Sequence, residues 1–315
     1  MTHLLTLDQW PDLNDTLTQA EHFKSNPLAQ QALGRGKTLG LLFFNPSLRT
    51  RMSTEKAAQN LGMNTLVLNI NHDGWLLEFE DGTVMNSTSS EHIKEAAAVI
   101  SQYCDIVAIR AFAELKDRAK DQAEQVLQSF MRYGSIPVLN LESATAHPLQ
   151  ALADALTLRE HKPTHRPKVV LSWAPHPKAL PQAVANSFVR MMRQQEADFV
   201  IAQPNGYTLD PAITQGISYV TEQEEAFVNA DFIYTKNWSS FDSYGQVLRN
   251  DLDWIITPEK MALTRSAKFM HCLPVRRNVV VADAVLDSPN SLVIEQANNR
   301  TYTVQAVLHK MLQNG

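Results

Sequence analysis

Short β-rich runs alternate with helical patterns along nearly the whole chain, and that alternation restricts the fold more than any other feature of the sequence. The runs fall at 38–44 (TLGLLFF), 65–69, 106–110, 136–140, 168–172, 198–202, 232–235, 268–271 and 291–294. Between them apolar residues recur at three-to-four spacing, as at 91–104, where Ile93, Ala96, Ala97, Ile100 and Cys104 share one face. The same spacing predicts helices over 148–161 and 181–194 and a closing helix over 296–313. Strands that alternate with helices pair in parallel and are covered on both faces. The expectation is an α/β protein of two domains, each a parallel sheet flanked by helices. A length of 315 residues suffices for about two such cores. The segment HKPTHRP (161–167), rich in proline and charge, reads as the break between two halves.

Composition excludes several function classes. Lys+Arg is 28 and Asp+Glu is 33, a formal net charge of −5, and no basic tract is present, so nucleic acid is not an expected partner. Two cysteines, Cys104 and Cys272, form neither a disulfide framework nor a four-ligand zinc site, and no metal is expected. The N-terminal MTHLLTLDQWPDLND carries acids and no apolar signal-peptide core. Apolar runs fall far short of the ~20 residues that span a bilayer. A cytoplasmic protein with small-molecule partners is expected, without membrane or nucleic-acid contacts.

Open α/β sheets bind ligands beyond the carboxyl ends of their strands. After 38–44 comes NPSLRTR, after 105–109 comes Arg110, after 136–140 ESATAHPLQ, after 232–235 KNW, and after 268–271 CLPVRR. Ser47, Leu48, Arg49 and Thr50 stand where a strand passes into a helix that runs to about Leu61, with Gly62 as its stop. Unpaired N–H groups, two hydroxyls and two guanidinium groups at a helix start suit a phosphate; the plainer alternative makes Ser47 an N-cap beside surface arginines. The stretch Gly34–Thr38 imitates the end of a P-loop but has Gln31 where the motif needs glycine, and it leads into a strand. No G-x-G-x-x-G follows any strand, which argues against a dinucleotide enzyme. His147 and Gln150 project from the start of one helix, opened by Pro148, where they can meet a carbonyl oxygen that gains charge. His271-Cys272 is weak as a metal or nucleophile pair, because adjacent strand residues face opposite sides.

Taken in order, FFNPSLRTR (43–51), HDGW (72–75), FEDGTVMNSTSSEHIKE (79–95), AIRAF (108–112), HPLQ (147–150), YTKNW (234–238) and HCLPVRRN (271–278) resemble the aspartate/ornithine carbamoyltransferase superfamily. The chain is most similar to its acetylornithine/succinylornithine carbamoyltransferases. That resemblance implies a carbamoyl-phosphate-binding domain over 1–150, an amino-acid-binding domain over 151–295, and a terminal helix, 296–315, that packs back on the first. It implies homotrimers with active sites shared between subunits, and no cofactor. Ser47, Leu48, Arg49 and Thr50 would hold the phosphate, and Arg110 would touch phosphate and carbonyl oxygens. His147 and Gln150 would bind the carbamoyl group, Cys272, Leu273 and Arg276 would also reach this ligand, and Trp75 would enter from a neighbouring subunit. Arg49, Thr50, Arg110 and His147 would be the catalytic group.

The second substrate follows from departures within the superfamily. Ornithine enzymes carry a D-x-W-x-S-M-G segment whose Asp meets a free α-ammonium. Lys236, in YTKNWSS, stands there instead and suits the α-carboxylate of an N-acylated ornithine. Glu142, Asn186, Cys272 and Arg276 resemble further contacts to that substrate. The acetylornithine branch has Glu where this chain has Ser90, and Lys where it has Val280. A Glu would repel the extra carboxylate of a succinyl group, by about 4 kcal/mol at ~4 Å and an effective dielectric near 20. N-succinylornithine is therefore the expected substrate and N-acetylornithine the alternative, although Thr88–Glu91 also reads as a capping box. A non-catalytic anion- or amino-acid-binding protein is the remote alternative.

Overall fold

The apolar run after Lys37 forms β1 (Thr38–Phe43), buried from its second residue onward, in the computed structural model, which describes residues 2–313. The expected spans 1–150 and 296–315 thus include three residues, Met1, Asn314 and Gly315, that lie outside the described ones. The other strands are β2 (Asn64–Asn69), β3 (Leu77–Glu78), β4 (Glu91–His92), β5 (Ile106–Arg110), β6 (Val138–Glu142), β7 (Lys168–Ala174), β8 (Asp198–Ala202), β9 (Ser218–Val220), β10 (Phe232–Asn237) and β11 (Lys268–Met270). The chain divides into two compact units. The first takes residues up to Glu114, then Arg118–Leu149 and the chain from Arg300; the second takes Leu115–Asp117 and Gln150–Asn299. The division at Leu149 falls inside the helix Pro148–His161, and the Pro-rich segment 161–167 joins that helix to β7 within the second unit.

The first unit holds a parallel sheet in the order β2-β1-β5-β6. β5 and β6 are buried at every residue, as strands covered on both faces must be. β2, at the edge, alternates between exposed and half-buried and leaves Leu66 and Leu68 exposed. The core beside this sheet joins Leu42, Val107, Ile109 and Val138 to Ile93, Ala96 and Ala97 of the helix Ile93–Tyr103 and to Leu127 and Phe130 of the helix Gln125–Tyr133. Gly40 is required by close approach: a Cβ there would meet Cys104 Sγ at 2.8 Å.

The second unit holds a five-stranded parallel sheet, β11-β10-β7-β8-β9. One device closes the amino edge of both sheets. Asp105, just before β5, accepts the N–H of Thr38 at 2.8 Å, and Asp231, just before β10, accepts the N–H of Lys168 at 2.8 Å. Each carboxylate ties the start of its own strand to the first N–H of the neighbouring one.

One expected strand is absent. Within 291–294, Ser291 makes only an isolated bridge with Phe269, and Val293 begins the terminal helix Val293–Gln313. A four-residue apolar run does not by itself separate strand from buried helix; Leu292 and Val293 bury their side chains as the helix starts. A two-stranded pairing of β3 with β4, and β9 at the edge of the second sheet, went unread because they are two or three residues long.

Candidate active site

In the first sheet the chain leaves β1 toward β2 on one side and β5 toward β6 on the other, so strand order reverses between β1 and β5. A reversal opens a crevice at the carboxyl edge, where α/β proteins place ligands. The segment after β1 is fixed there: Phe44 N donates to Arg110 O at 2.9 Å, and Phe112 N donates to Asn45 Oδ1 at 2.6 Å. The helix Arg49–Asn60 starts at this point. Leu48 is its N-cap residue, with no side-chain cap, so Ser47 is not the capping serine of the plainer reading. Leu48 is exposed, Arg49 half-buried and Thr50 buried, while Arg51 turns outward to pair with Glu55 at 2.8 Å. Gly62 ends this segment with φ at +80°, and a Cβ there would collide with Gln31 O at 2.1 Å.

Arg110, at the end of β5, is buried and forms an ion pair through Nη1 with Glu142 Oε2 at the end of β6. His147 Nε2 lies 3.4 Å from the same carboxylate oxygen. Glu142, which the resemblance gave to the amino-acid substrate, thus sits in the first unit against two of the residues expected at the carbamoyl group. The loop carrying His147 is held by Glu124, whose Oε1 accepts from Ser143 Oγ, Thr145 N and Thr145 Oγ1 at 2.5–2.9 Å. Arg300, from the terminal helix, donates through Nη2 to Thr50 Oγ1 at 2.8 Å, with both side chains buried. No motif pointed to this residue, 250 positions from its partner.

Trp75 is 58% exposed and donates its indole N–H to Glu91 Oε2 at 2.7 Å. Ser90, also exposed, donates its backbone N–H to Leu76 O at 3.0 Å. The helix after it begins at Ile93, and its cap is the ring of His92, which accepts from Lys94 N. The capping box expected at Thr88–Glu91 is therefore not the start of this helix.

The second sheet also reverses, between β7 and β10. Lys236 is buried at the end of β10, with one hydrogen bond, to Asn237 Oδ1 at 3.4 Å, and no carboxylate partner among the described residues. His176 follows β7 and accepts from Arg276 Nε at 3.1 Å through Nε2, while its main-chain carbonyl accepts from the indole of Trp238. Burial lowers the His176 pKa; the hydrogen bond to the Lys178 main chain opposes this in part, and the charges of Arg276, Lys236 and Lys178 add to it, favouring the neutral ring whose Nε2 accepts from Arg276. Three cations and one histidine thus gather at this carboxyl edge, an arrangement chemically suited to an anion, and sequence reading named only Lys236 and Arg276. Asn186 is buried in the helix Ala183–Met192.

His271 and Cys272 are buried after β11, and Leu273 takes a φ of 55° before the cis Leu273–Pro274 bond. Gln150, in the first turn of Pro148–His161, is buried and donates to Asp154 Oδ1. Among the described residues one cluster could hold a metal ion, Glu160, His161 and Glu295, and His161 already pairs with Glu295 at 2.9 Å. It lies at the far end of the helix from Gln150, roughly 16 Å along the axis at 1.5 Å per residue. No helix among the described residues is long and apolar enough to cross a membrane.

Comparison with known proteins agrees with this geometry. The family profile "Aspartate/ornithine carbamoyltransferase, carbamoyl-P binding domain" matches residues 2–160, and "Aspartate/ornithine carbamoyltransferase, Asp/Orn binding domain" matches 181–311. The chain is 48% identical over 304 residues to an N-succinylornithine carbamoyltransferase of Bacteroides thetaiotaomicron, covering 96% of each chain. It is 40% identical over 331 residues to an N-acetylornithine carbamoyltransferase of Xanthomonas campestris, covering 98% of this chain and 97% of that one. Among solved structures it is similar to a glutamate-to-valine variant of N-acetyl-L-ornithine transcarbamylase complexed with carbamyl phosphate and N-succinyl-L-norvaline. The TM-score is 0.92 at 38% identity, over 99% of this chain and 100% of that one. The fold and these matches together show that the chain is a carbamoyltransferase belonging to the aspartate/ornithine carbamoyltransferase family.

Proposed function

We propose that the enzyme transfers the carbamoyl group of carbamoyl phosphate to the δ-amine of N-succinyl-L-ornithine, giving N-succinyl-L-citrulline and phosphate, as a cytoplasmic step of arginine biosynthesis. The observation that carries the acylated substrate is Lys236. A buried lysine without a carboxylate partner among the described residues is costly to charge until an anion meets it. The α-carboxylate of an ornithine whose α-nitrogen is acylated, and so uncharged, supplies that anion. Arg276 and the neutral His176 extend the same edge.

In this reading 1–150 binds carbamoyl phosphate, 151–295 binds the amino acid, and the terminal helix serves the first domain. Ser47, the main chain of Leu48, Arg49 and Thr50 hold the phosphate. The neutral δ-amine attacks the carbamoyl carbon, a C–N bond forms, and the carbonyl oxygen gains charge opposite Arg49, Thr50, Arg110 and His147. The C–O bond to phosphate then breaks, and the departing phosphate takes the proton the nitrogen sheds. Alignment of two bound reactants supplies roughly 7–11 kcal/mol of such a barrier. Trp75 and Ser90 complete the site of an adjacent subunit in a homotrimer; exposed Leu48, Met52, Leu66 and Leu68 in the same unit offer the apolar surface such an assembly covers.

Succinyl is favoured over acetyl by Ser90. Its capping explanation is gone, because the helix starts at Ile93. The neighbour complexed with N-succinyl-L-norvaline is itself a variant that has lost a glutamate, and Ser90 stands where the acetylornithine branch has one. N-acetylornithine remains the second reading, on the 40% identical relative. Phosphate release measured with N-succinyl-, N-acetyl- and free ornithine side by side tests all of this. Highest kcat/KM with free ornithine would overturn the role of Lys236, and highest kcat/KM with N-acetylornithine the role of Ser90.

A further inference from the structure

Gln150 and Gln296 both donate to one oxygen of a buried carboxylate. Gln150 Nε2 reaches Asp154 Oδ1 at 2.8 Å, and Gln296 Nε2 reaches the same atom at 2.7 Å. All three residues are at most 1% exposed, and the fully buried Tyr234 phenol stands beside Asp154 and Cys272. An ionised carboxylate only accepts hydrogen bonds, so each amide can meet Asp154 only through its nitrogen. The orientation of both amides is therefore dictated. Gln150 turns its carbonyl oxygen away from Asp154. Gln296 turns its own toward the second sheet, where it accepts from His271 N at 3.0 Å. His271 Nδ1 in turn accepts from Leu273 N at 2.9 Å. A continuous chain of hydrogen bonds thus runs from Gln150 through Asp154, Gln296 and His271 to Leu273.

We infer that Asp154 is a positioning residue for carbamoyl transfer, setting the amide of Gln150 and, through Gln296, the 271–273 segment in one mutual arrangement. The inference rests on the reading that Gln150 and Leu273 meet the carbamoyl group. A carbamoyl group carries an NH2 that must be met by acceptors. Asp154 leaves the Gln150 carbonyl oxygen as such an acceptor; without it, the amide could turn its nitrogen to the ligand and present donor to donor. The same anchor fixes the backbone of Leu273, so one residue that need not touch substrate controls two that do.

The test is steady-state kinetics and thermal melting of the full chain for Gln150→Ala, Asp154→Ala, Asp154→Asn and the Gln150→Ala/Asp154→Ala double variant. Asp154→Ala should lower kcat about a hundredfold, the scale of a misplaced reacting group. Asp154→Asn, which keeps an acceptor oxygen, should recover most of it. In the double variant the second substitution should add little, because residues acting as one unit are not additive. If Asp154→Ala lowers Tm but leaves kcat at the wild-type value, or if the two penalties multiply, Asp154 is structural and the inference fails. A Gln150→Ala enzyme at full rate removes the underlying reading instead, and the inference with it. Should Asp154→Ala not fold, Gln296→Leu carries the same test: a tenfold or larger loss of kcat supports the relay, and an unchanged kcat overturns it.

Discussion

Arg300 Nη2 donates to the hydroxyl of Thr50 at 2.8 Å, so the terminal helix delivers a buried guanidinium to the start of the helix that follows β1. With its oxygen already accepting from Arg300, the Thr50 hydroxyl has its own proton to give to a phosphate oxygen. The guanidinium adds positive charge behind the helix N-terminus. Arg300→Met should weaken binding of carbamoyl phosphate and of inorganic phosphate by about tenfold to a hundredfold, the worth of a charge-assisted hydrogen bond. Isothermal titration of each anion, read beside Tm, checks this; unchanged affinity in a folded variant removes Arg300 from the phosphate site.

Arg49→Ala and Arg110→Ala should each lower kcat by roughly 10²–10³, as loss of one donor to a developing oxyanion does, and Cys272→Ala far less. Arg110 differs from Arg49 in a second respect. Its removal leaves Glu142 buried without its cation, which costs about 3–5 kcal/mol of stability. Melting curves should therefore show a lower Tm for Arg110→Ala than for Arg49→Ala. Comparable turnover for all three variants would refute the roles assigned to them.

Local patterning carried most of the architecture. The continuous apolar runs of β5 and β7 and the spacing of Ile93, Ala96 and Ala97 reflect burial that acts within a few residues, so a linear reading finds them. Ser47–Thr50 and His147 were legible as candidates for the same reason: each follows a strand, and open α/β sheets bind ligands beyond the carboxyl ends of their strands. Arg300 and His176 were not, because their partners, Thr50 and Arg276, lie 250 and 100 positions away and are brought near only by the sheet topology. Asp154 lies between these cases. It stands four residues from Gln150 on one helix, a spacing that places both on the same face, but only Gln296 reveals what the pair is tied to. The strand clamps at Asp105 and Asp231 likewise escape a search for sequence repeats, since one carboxylate and one N–H leave no longer signature.

Trp75 engages Glu91, so the carboxylate next to Ser90 is already turned toward an indole. Ser90→Glu would put a second carboxylate beside it. Ser90 is exposed and its one hydrogen bond among the described residues, to Leu76, uses the backbone, so Tm should stay within the small range of surface substitutions. The ratio of kcat/KM for N-succinyl- over N-acetylornithine should fall at least about tenfold, water and salt screening part of the full like-charge penalty. An unchanged ratio sinks the specificity argument while leaving carbamoyl transfer intact.

His176 gives the second unit a defined pH response. Burial lowers its pKa on folding from the ordinary value of about 6.5; the hydrogen bond to the Lys178 main chain opposes this in part, and the charges of Arg276, Lys236 and Lys178 add to it. Between the native and unfolded values the unfolded chain binds more protons than the native one, so stability rises with pH across that window. The contribution is present in full above about 6.5 and is lost as pH falls through the lower native value, where a proton on Nε2 abolishes the acceptor that Arg276 uses. His3 and His309 are shifted in the same direction by burial, so the wild-type curve alone does not isolate His176. The difference between wild type and His176→Gln does. Melting temperatures from pH 5 to 8 should give parallel curves above about 6.5 and a wild-type curve that falls more steeply below it. Parallel curves throughout would show that His176 is not held neutral by its cationic neighbours.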